Sequence, residues 1–188
     1  MRPTGKNNIE EIQVFIRSKE QEYGLQISLI EDNDAEFICD IRNNYKARLL
    51  NGSVSDINQQ IEWIHEYKVR EKEELEFYFI FWNESERIGT IRFIKMDETT
   101  FESGSWLFVD NVPLNVIIKA ELFCKDFAFE YYSFSNCYFY MNKKNKQVIR
   151  FHNMFNPVMI KEEKDHVHFL LSRETYYQNK NRILSYCQ

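Results

Sequence analysis

Two segments, Glu102-Ser-Gly-Ser-Trp-Leu-Phe-Val109 and Asn145-Lys-Gln-Val-Ile-Arg-Phe-His-Asn-Met-Phe155, decide the fold of this chain. The first predicts a strand. Pro113 then opens an apolar-periodic run that predicts a helix to about Tyr131. The aromatic stretch Cys137–Met141 predicts another strand, and the second segment carries apolar residues at helical spacing. The centre of the chain therefore reads strand, helix, strand, helix.

The segments on either side predict further helices and strands. Helices are expected over 8–22 (ended by Gly24), after Asp32, after Ser55 or Asp56 and over 174–186; strands are expected over 25–30, 77–82, 87–95, 101–109, 158–160 and 167–171. This order predicts an α+β fold, with helices flanking a mostly antiparallel sheet. We expect one domain over 25–173, preceded by a helical extension over 1–24 and followed by a helical tail over 174–188.

The composition is that of a protein with a large core. Of 188 residues, 44% are hydrophobic and 16% aromatic. The net charge of −5 provides none of the basic surface that nucleic-acid binding requires. The first twenty or so residues are polar, and no apolar run approaches the ~20 residues of a membrane helix. We therefore expect a cytoplasmic protein that binds neither nucleic acid nor membrane.

The cysteines and histidines do not have the spacing of a metal site. Cys39, Cys124 and Cys137 lie among apolar residues, which is typical of buried free thiols. His166 and His168 stand two apart on a predicted strand without a third ligand close in sequence. A surface hairpin is the expectation there, and no metal is expected.

Four short matches, in the correct order, resemble the Gcn5-related N-acetyltransferases. They are Asp40-Ile-Arg-Asn43, Arg87-Ile-Gly-Thr-Ile91, Glu102-Ser-Gly-Ser-Trp-Leu107, and Asn145 with Phe151-His152 and Phe155. They resemble the branch that contains ribosomal-protein N-terminal acetyltransferases and amino-sugar N-acetyltransferases of surface-glycan pathways. The resemblance spans roughly residues 27–171. It implies that acetyl-CoA is a substrate and that acetyl passes directly to a primary amine of a small molecule.

The resemblance also implies where acetyl-CoA would bind. Main-chain groups at Leu107, Phe108 and Val109 would hold the pantetheine, and the helix start at Leu114 and Asn115 would face the pyrophosphate. Asn145 and Lys146 would contact the CoA arm. Asn145 equally fits the N-cap of the following helix, and both roles are compatible.

For the chemistry, the resemblance implies Glu102 and His152. Glu102 would accept a proton from the amine, and the alternative is a solvent-facing strand residue. His152 stands where the family has the tyrosine that protonates the leaving sulfur, and a histidine is competent because it titrates near neutrality. The alternative for His152 is a packed or surface histidine.

The acceptor side is implied less specifically. Arg42, Asn43 and Tyr45 would line it, although an ordinary polar helix end explains them as well. Trp106 would stack on the acceptor or belong to the core.

One segment departs from the family pattern. The family's phosphate loop carries glycines, whereas residues 109–115 contain none. This departure favours the amino-sugar branch, so the first expected acceptor is a nucleotide-linked amino sugar. A protein α-amine is the alternative substrate, and a non-catalytic binding protein is the alternative function. A homodimer through Tyr176, Tyr177 and Tyr186 is a further expectation.

Overall fold

The computed structural model describes residues 8–43 and 56–187, and it confirms the predicted α+β architecture. The helices are α1 (Asn8–Tyr23), α2 (Ala35–Asn43), α3 (Ile57–Lys72), α4 (Leu114–Asp126), α5 (Lys146–His152) and α6 (Arg173–Leu184). The strands are β1 (Gln26–Leu29), β2 (Glu76–Asn83), β3 (Glu86–Lys95), β4 (Thr100–Phe108), β5 (Asn136–Asn142), β6 (Val158–Glu162) and β7 (His166–Ser172). No described helix is both long and apolar enough to cross a membrane.

Local sequence signals end and begin several helices as expected. Gly24 closes α1 at a φ of 63°, a left-handed conformation that glycine adopts without steric cost. Asp56 is the N-cap of α3 and accepts a hydrogen bond from the Asn58 N–H at 3.0 Å. The helix predicted to run to Tyr131 differs in its last part. It is α-helical only to Asp126 and continues as a π-helical turn over Phe127–Tyr131.

The seven strands form one sheet in the order β1-β2-β3-β4-β5-β7-β6. Every neighbouring pair is antiparallel except β4 and β5. These two parallel strands pair only where Thr100–Glu102 lies opposite Asn136–Tyr138. Beyond Glu102 they have no further paired residues. The sheet is therefore split between β4 and β5, and the split exposes the inner edges of both strands.

Helices cover the sheet on two faces, and β2 shows why. Its alternate residues Phe77, Phe79 and Phe81 belong to the large core that contains α4. Tyr78 and Ile80 point to the opposite face and pack in a smaller core with residues of α2 and α3. Both faces of β2 are buried, so this strand reads as a continuous aromatic and aliphatic run rather than an alternating one.

The terminal helices contribute to the same large core. Ile12 and Ile16 of α1 are buried, as are Tyr176 and Ile183 of α6. Tyr176 is 0% exposed, so it is unavailable to the dimer contact expected for it, whereas Tyr177 and Tyr186 are exposed. The homodimer itself stays a prediction.

Candidate active site

A cavity of about 290 Å³ lies in the split between β4 and β5. Residues 103–106 of β4 and 139–142 of β5 form its walls, and Arg42, Glu102, Asn145 and His152 also line it. Five of the residues predicted for the site, Arg42, Glu102, Trp106, Asn145 and His152, therefore meet around one space.

A β-bulge shapes the β4 wall of this cavity. Thr90 lies opposite Leu107 but Arg92 lies opposite Gly104, so two residues of β4 face one residue of β3. Ser105 sits in the bulge at a φ of 47°. The Thr90 hydroxyl donates to the Ser105 carbonyl at 3.0 Å and holds it toward β3. The bulge thereby bends β4 away from β5.

Glu102 lies at the point where the two strands separate. It is opposite Tyr138, the last paired position, and it lines the cavity. Burial raises the pKa of Glu102, and the nearby Arg92 guanidinium opposes that effect only in part. No described residue is hydrogen-bonded to this carboxylate. Glu102 is therefore a stronger base than an ordinary surface glutamate and is open to a ligand.

His152 is buried, with 4% of its surface exposed. Its ring packs against Trp106, Phe139 and Phe151, with ring centroids 5.6, 4.9 and 5.2 Å away. Burial lowers its pKa to about 4, against an opposing effect of the Glu121 carboxylate. His152 is therefore neutral at pH 7. It can protonate a sulfur only after it has first accepted a proton.

Behind His152 lies a buried charge pair that the sequence analysis missed. Glu121 and Lys125 stand i, i+4 on α4, form an ion pair and are fully buried. Nδ1 of His152 lies 3.5 Å from Oε1 of Glu121. Burial alone would raise the pKa of Glu121, but the Lys125 charge, helped by the neighbouring His152, outweighs this effect and holds the pKa below its usual value.

Trp106 joins this group from β4. Its indole Nε1 is buried and has no hydrogen bond of normal geometry with the described residues. It nevertheless lies near the Glu121 carboxylate and, as a hydrogen-bond donor, helps to lower the pKa of that group. The Trp106 ring also packs on Phe108 and Phe151. Both expected roles of Trp106, core residue and cavity wall, are therefore compatible with its position.

The residues expected to hold acetyl-CoA lie in two places, at the start of α5 and at the end of β4. Asn145 is confirmed as the N-cap of α5, since its Oδ1 accepts from the Val148 N–H at 3.4 Å, and it also lines the cavity. Lys146, in the first turn of α5, is exposed. Leu107 and Phe108 are buried, so only their main chains can reach a ligand. The Val109 N–H is already bonded to the Ile88 carbonyl at 3.0 Å.

The start of α4 offers main-chain donors to solvent. Leu114 is 59% exposed, and the N–H groups of Leu114 and Asn115, the first two residues of the helix, precede the first intrahelical hydrogen bonds. Asn115 uses its own Oδ1 to accept from the Val116 N–H at 3.0 Å. The Val116 N–H also lies 3.0 Å from the Pro113 carbonyl, so the main-chain donors expected to face the pyrophosphate are those of Leu114 and Asn115.

Two arginines line the acceptor side of the cavity, and the sequence predicted only the first of them. Arg42 lines the cavity, Asn43 is exposed at the end of α2, and Tyr45 lies outside the described residues. Arg92 of β3 also lines the cavity, 2.5 Å from Glu76 through its Nε and stacked over Trp63 at 5.2 Å. Its position opposite Gly104 follows from the bulge register, which the sequence pattern does not show.

The two histidines of the C-terminal hairpin have different surroundings. His166 lines the cavity, and Nδ1 of His168 lies 2.6 Å from the Tyr138 hydroxyl. Within residues 8–43 and 56–187, no three His, Cys, Asp or Glu side chains are grouped as metal ligands would be. Cys39, Cys124 and Cys137 are buried free thiols, as expected.

A sheet split between two parallel strands, with a helix starting at the open end, defines an acetyltransferase fold, and solved structures agree. FdhC, a nucleotide-linked sugar GNAT solved without ligand, is 30% identical, with a TM-score of 0.78 over 87% of this chain and 95% of that chain. The chain belongs to the Gcn5-related N-acetyltransferase (GNAT) superfamily. No protein-family model and no curated protein matches the sequence.

More distant structures share the fold. The N-acetyltransferase PseH of Campylobacter jejuni, solved with acetyl coenzyme A, is 18% identical, with a TM-score of 0.59 over 79% of this chain and 99% of that chain. The spermidine N-acetyltransferase of Vibrio cholerae, solved with CoA and spermine, is 14% identical, with a TM-score of 0.68 over 81% and 98%. Solved relatives of this fold thus include complexes with the cofactor that the sequence resemblance implied.

Proposed function

We propose that this protein transfers the acetyl group of acetyl-CoA to the primary amine of a nucleotide-linked amino sugar. The observation that carries the proposal is the composition of the split between β4 and β5, where a basic carboxylate and two arginines line one cavity. The thioester would lie between the strand edges, with the pantetheine along β4 and the phosphates near the start of α4. The acceptor would enter from the side of Arg42 and Arg92.

The proposed chemistry begins with an amine that arrives protonated. Glu102 takes a proton from the ammonium group, and its raised pKa suits it to this task. The neutral amine then attacks the thioester carbon directly. The cysteines Cys124 and Cys137 are buried, and burial raises both of their pKa values, so neither supplies a thiolate nucleophile at neutral pH.

The charge of the cavity supports an anionic acceptor. Guanidinium groups bind phosphate oxygens in bidentate geometry, and a nucleotide-linked sugar carries a diphosphate. A polyamine would place additional cations beside Arg42 and Arg92, which is unfavourable. The 30% identity to FdhC, a nucleotide-linked sugar GNAT, supports the same choice.

A panel of acceptors tests the proposal. Acetyl-CoA is incubated with nucleotide-linked amino sugars, with spermidine and with peptides that have a free α-amine, and release of the CoA thiol is followed. We expect turnover with at least one amino sugar and none with spermidine. Turnover with the peptides alone would replace the amino sugar by a protein α-amine.

Cofactor binding is measured separately. Acetyl-CoA at 100 times its Kd should stabilise the fold by about 2.7 kcal/mol in thermal unfolding. Absence of any shift at millimolar acetyl-CoA would favour a non-catalytic binding protein.

The role of Glu102 has its own test. Glu102→Gln should lower kcat about 10²–10⁴-fold because the amide cannot accept the proton, while acetyl-CoA affinity stays unchanged. Glu98→Gln, on the exposed turn before β4, is the matched control and should leave kcat unchanged. Wild-type turnover of the Glu102 variant at saturating substrate would remove Glu102 from the mechanism.

A further inference from the structure

We infer that Glu121 is a positioning residue that decides which ring nitrogen of His152 carries a proton toward the cleft. This inference rests on the proposed acetyl transfer and adds the route of the second proton. Nδ1 of His152 lies 3.5 Å from Oε1 of Glu121. An ionised carboxylate can only accept hydrogen bonds, so Nδ1 of the neutral ring carries the hydrogen and the lone pair is on Nε2.

Three buried polar atoms of this group are incompletely hydrogen-bonded. Nδ1 of His152, Oε2 of Glu121 and Nε1 of Trp106 are buried without a hydrogen bond of normal geometry among the described residues. Buried polar groups are nearly always satisfied, and exceptions concentrate at functional sites. Catalytic hydrogen bonds are often long without substrate and shorten when it binds. A 3.5 Å contact beside the cavity fits that behaviour.

The surroundings of His152 keep it neutral and leave Glu121 as the group that orients it. The charged side chains facing the ring are Glu121 and Lys125, both from α4. The elements packed on it from other directions contribute the rings of Trp106, Phe139 and Phe151. Lys125 neutralises the charge of Glu121 through their ion pair. Nδ1 is fully buried, so the ring contacts the cavity through its other atoms.

This arrangement completes the proton balance of the reaction. An ammonium acceptor must lose two protons to become an amide. Glu102 takes the first and releases it to solvent. As the C–N bond forms and the C–S bond breaks, the second proton passes from nitrogen to Nε2 of His152. His152 then gives it to the CoA sulfur and returns to its neutral form. The products are the acetylated amine and the CoA thiol.

Paired variants of the full chain test the role of Glu121 without leaving Lys125 unpaired. Glu121→Met with Lys125→Met removes the hydrogen-bond acceptor. Glu121→Gln with Lys125→Met keeps a carbonyl acceptor without charge. We expect kcat to fall about 10–100-fold in the first, the size of an orienting effect on a histidine, with the KM for acetyl-CoA unchanged. The second variant should recover most of this loss.

The tautomer of His152 is read directly by ¹⁵N NMR of the imidazole, with His152→Gln used for assignment. We expect Nδ1–H in the wild type and in the Gln-containing variant. An Nε2–H tautomer in the wild type, or wild-type kcat in the double Met variant, would overturn the inference. Because the wild-type tautomer is measured without turnover, it decides the role of Glu121 even if a variant fails to fold. Absence of acetyl transfer to every acceptor would instead sink the proposed function.

Discussion

Two clusters of buried charge lie on opposite sides of α4, and they differ in how completely they are bonded. The Asp126 cluster consists of Asp126, Lys19, Lys180, Tyr23 and Tyr176. The Glu121 cluster consists of Glu121, Lys125, His152 and Trp106. The first joins α1, α4 and α6, whereas the second lies behind the cleft between β4 and β5.

In the Asp126 cluster both carboxylate oxygens have several donors. Tyr176 donates to Oδ1 at 2.6 Å and Lys19 to Oδ2 at 2.9 Å. Lys180 contacts both oxygens at 2.8 Å, and the Tyr23 hydroxyl also donates to Oδ2. In the Glu121 cluster three buried atoms have no such partner. We therefore interpret the fully bonded Asp126 cluster as structural and the incompletely bonded Glu121 cluster, which lies beside the cavity, as serving the reaction.

Removal of the central carboxylate of the Asp126 cluster should destabilise the fold strongly. Asp126→Ala removes the fully buried carboxylate of the cluster and leaves Lys19 and Lys180 only the more exposed Glu130 and Glu22 as acidic partners, so it should cost about 3–5 kcal/mol of unfolding free energy. Urea unfolding measures it. Glu22→Ala is the matched control, because Glu22 contacts Lys19 from a more exposed position and should cost at most about 1 kcal/mol. Equal losses of unfolding free energy for the two variants would mean that the buried Asp126 stabilises the fold no more than the exposed Glu22 does.

The next effect separates the clusters by pH. The pKa of His152 is lowered from 6.5 to about 4, so between these values the unfolded chain binds a proton that the folded chain excludes. Stability should therefore fall by about 3 kcal/mol as pH decreases through this window. The stability due to Asp126 is also lost as pH falls, but only below 3.8, because the pKa of this carboxyl is lowered from that value in the folded chain.

Urea unfolding of the wild type and of His152→Gln at several pH values from 7 to 4.5 measures this loss of stability. The variant should lose less stability than the wild type over that range. Parallel curves for the two proteins would mean that His152 is not held neutral by the fold.

Much of this architecture is visible in the sequence, for identifiable reasons. The aromatic runs of β2 and β5 predict strands, and Gly24 and Asp56 mark helix ends by local chemistry. The π-helical turn over Phe127–Tyr131 is not predictable, because its residues continue the apolar pattern of α4. Phe127 packs against Phe77, Phe79 and Phe93 of the sheet, and such tertiary contacts are absent from a local pattern.

The site shows the same limit. Glu102 and His152 were identified by family resemblance, and the structure brings both to one cavity. Glu121 and Lys125 were missed because an i, i+4 Glu–Lys pair is the usual signature of a solvated helix face. Their burial depends on side chains from distant parts of the chain, since Lys125 lies 5.6 Å from the ring of Phe139 on β5 and 5.1 Å from the ring of Phe155, which follows α5. A charged pair inside an otherwise apolar helix is the signal that would have found them.

The last variants test whether the ion pair of the Glu121 cluster contributes net stability, and the double variant should differ least from the wild type. Lys125→Met alone leaves a buried unpaired carboxylate and should cost about 3–5 kcal/mol, but adding Glu121→Met should restore wild-type stability or exceed it. The attraction within a buried ion pair offsets only part of the cost of removing both charges from water. Two methionines fill a similar volume without that cost, so the double variant should regain stability. Urea unfolding of the single and double variants gives the answer. A double variant as unstable as the single one would make this pair structural, like the Asp126 cluster. Recovered stability together with a lower kcat would show that the charge on this side of α4 is retained for the reaction and the charge on the other side for the fold.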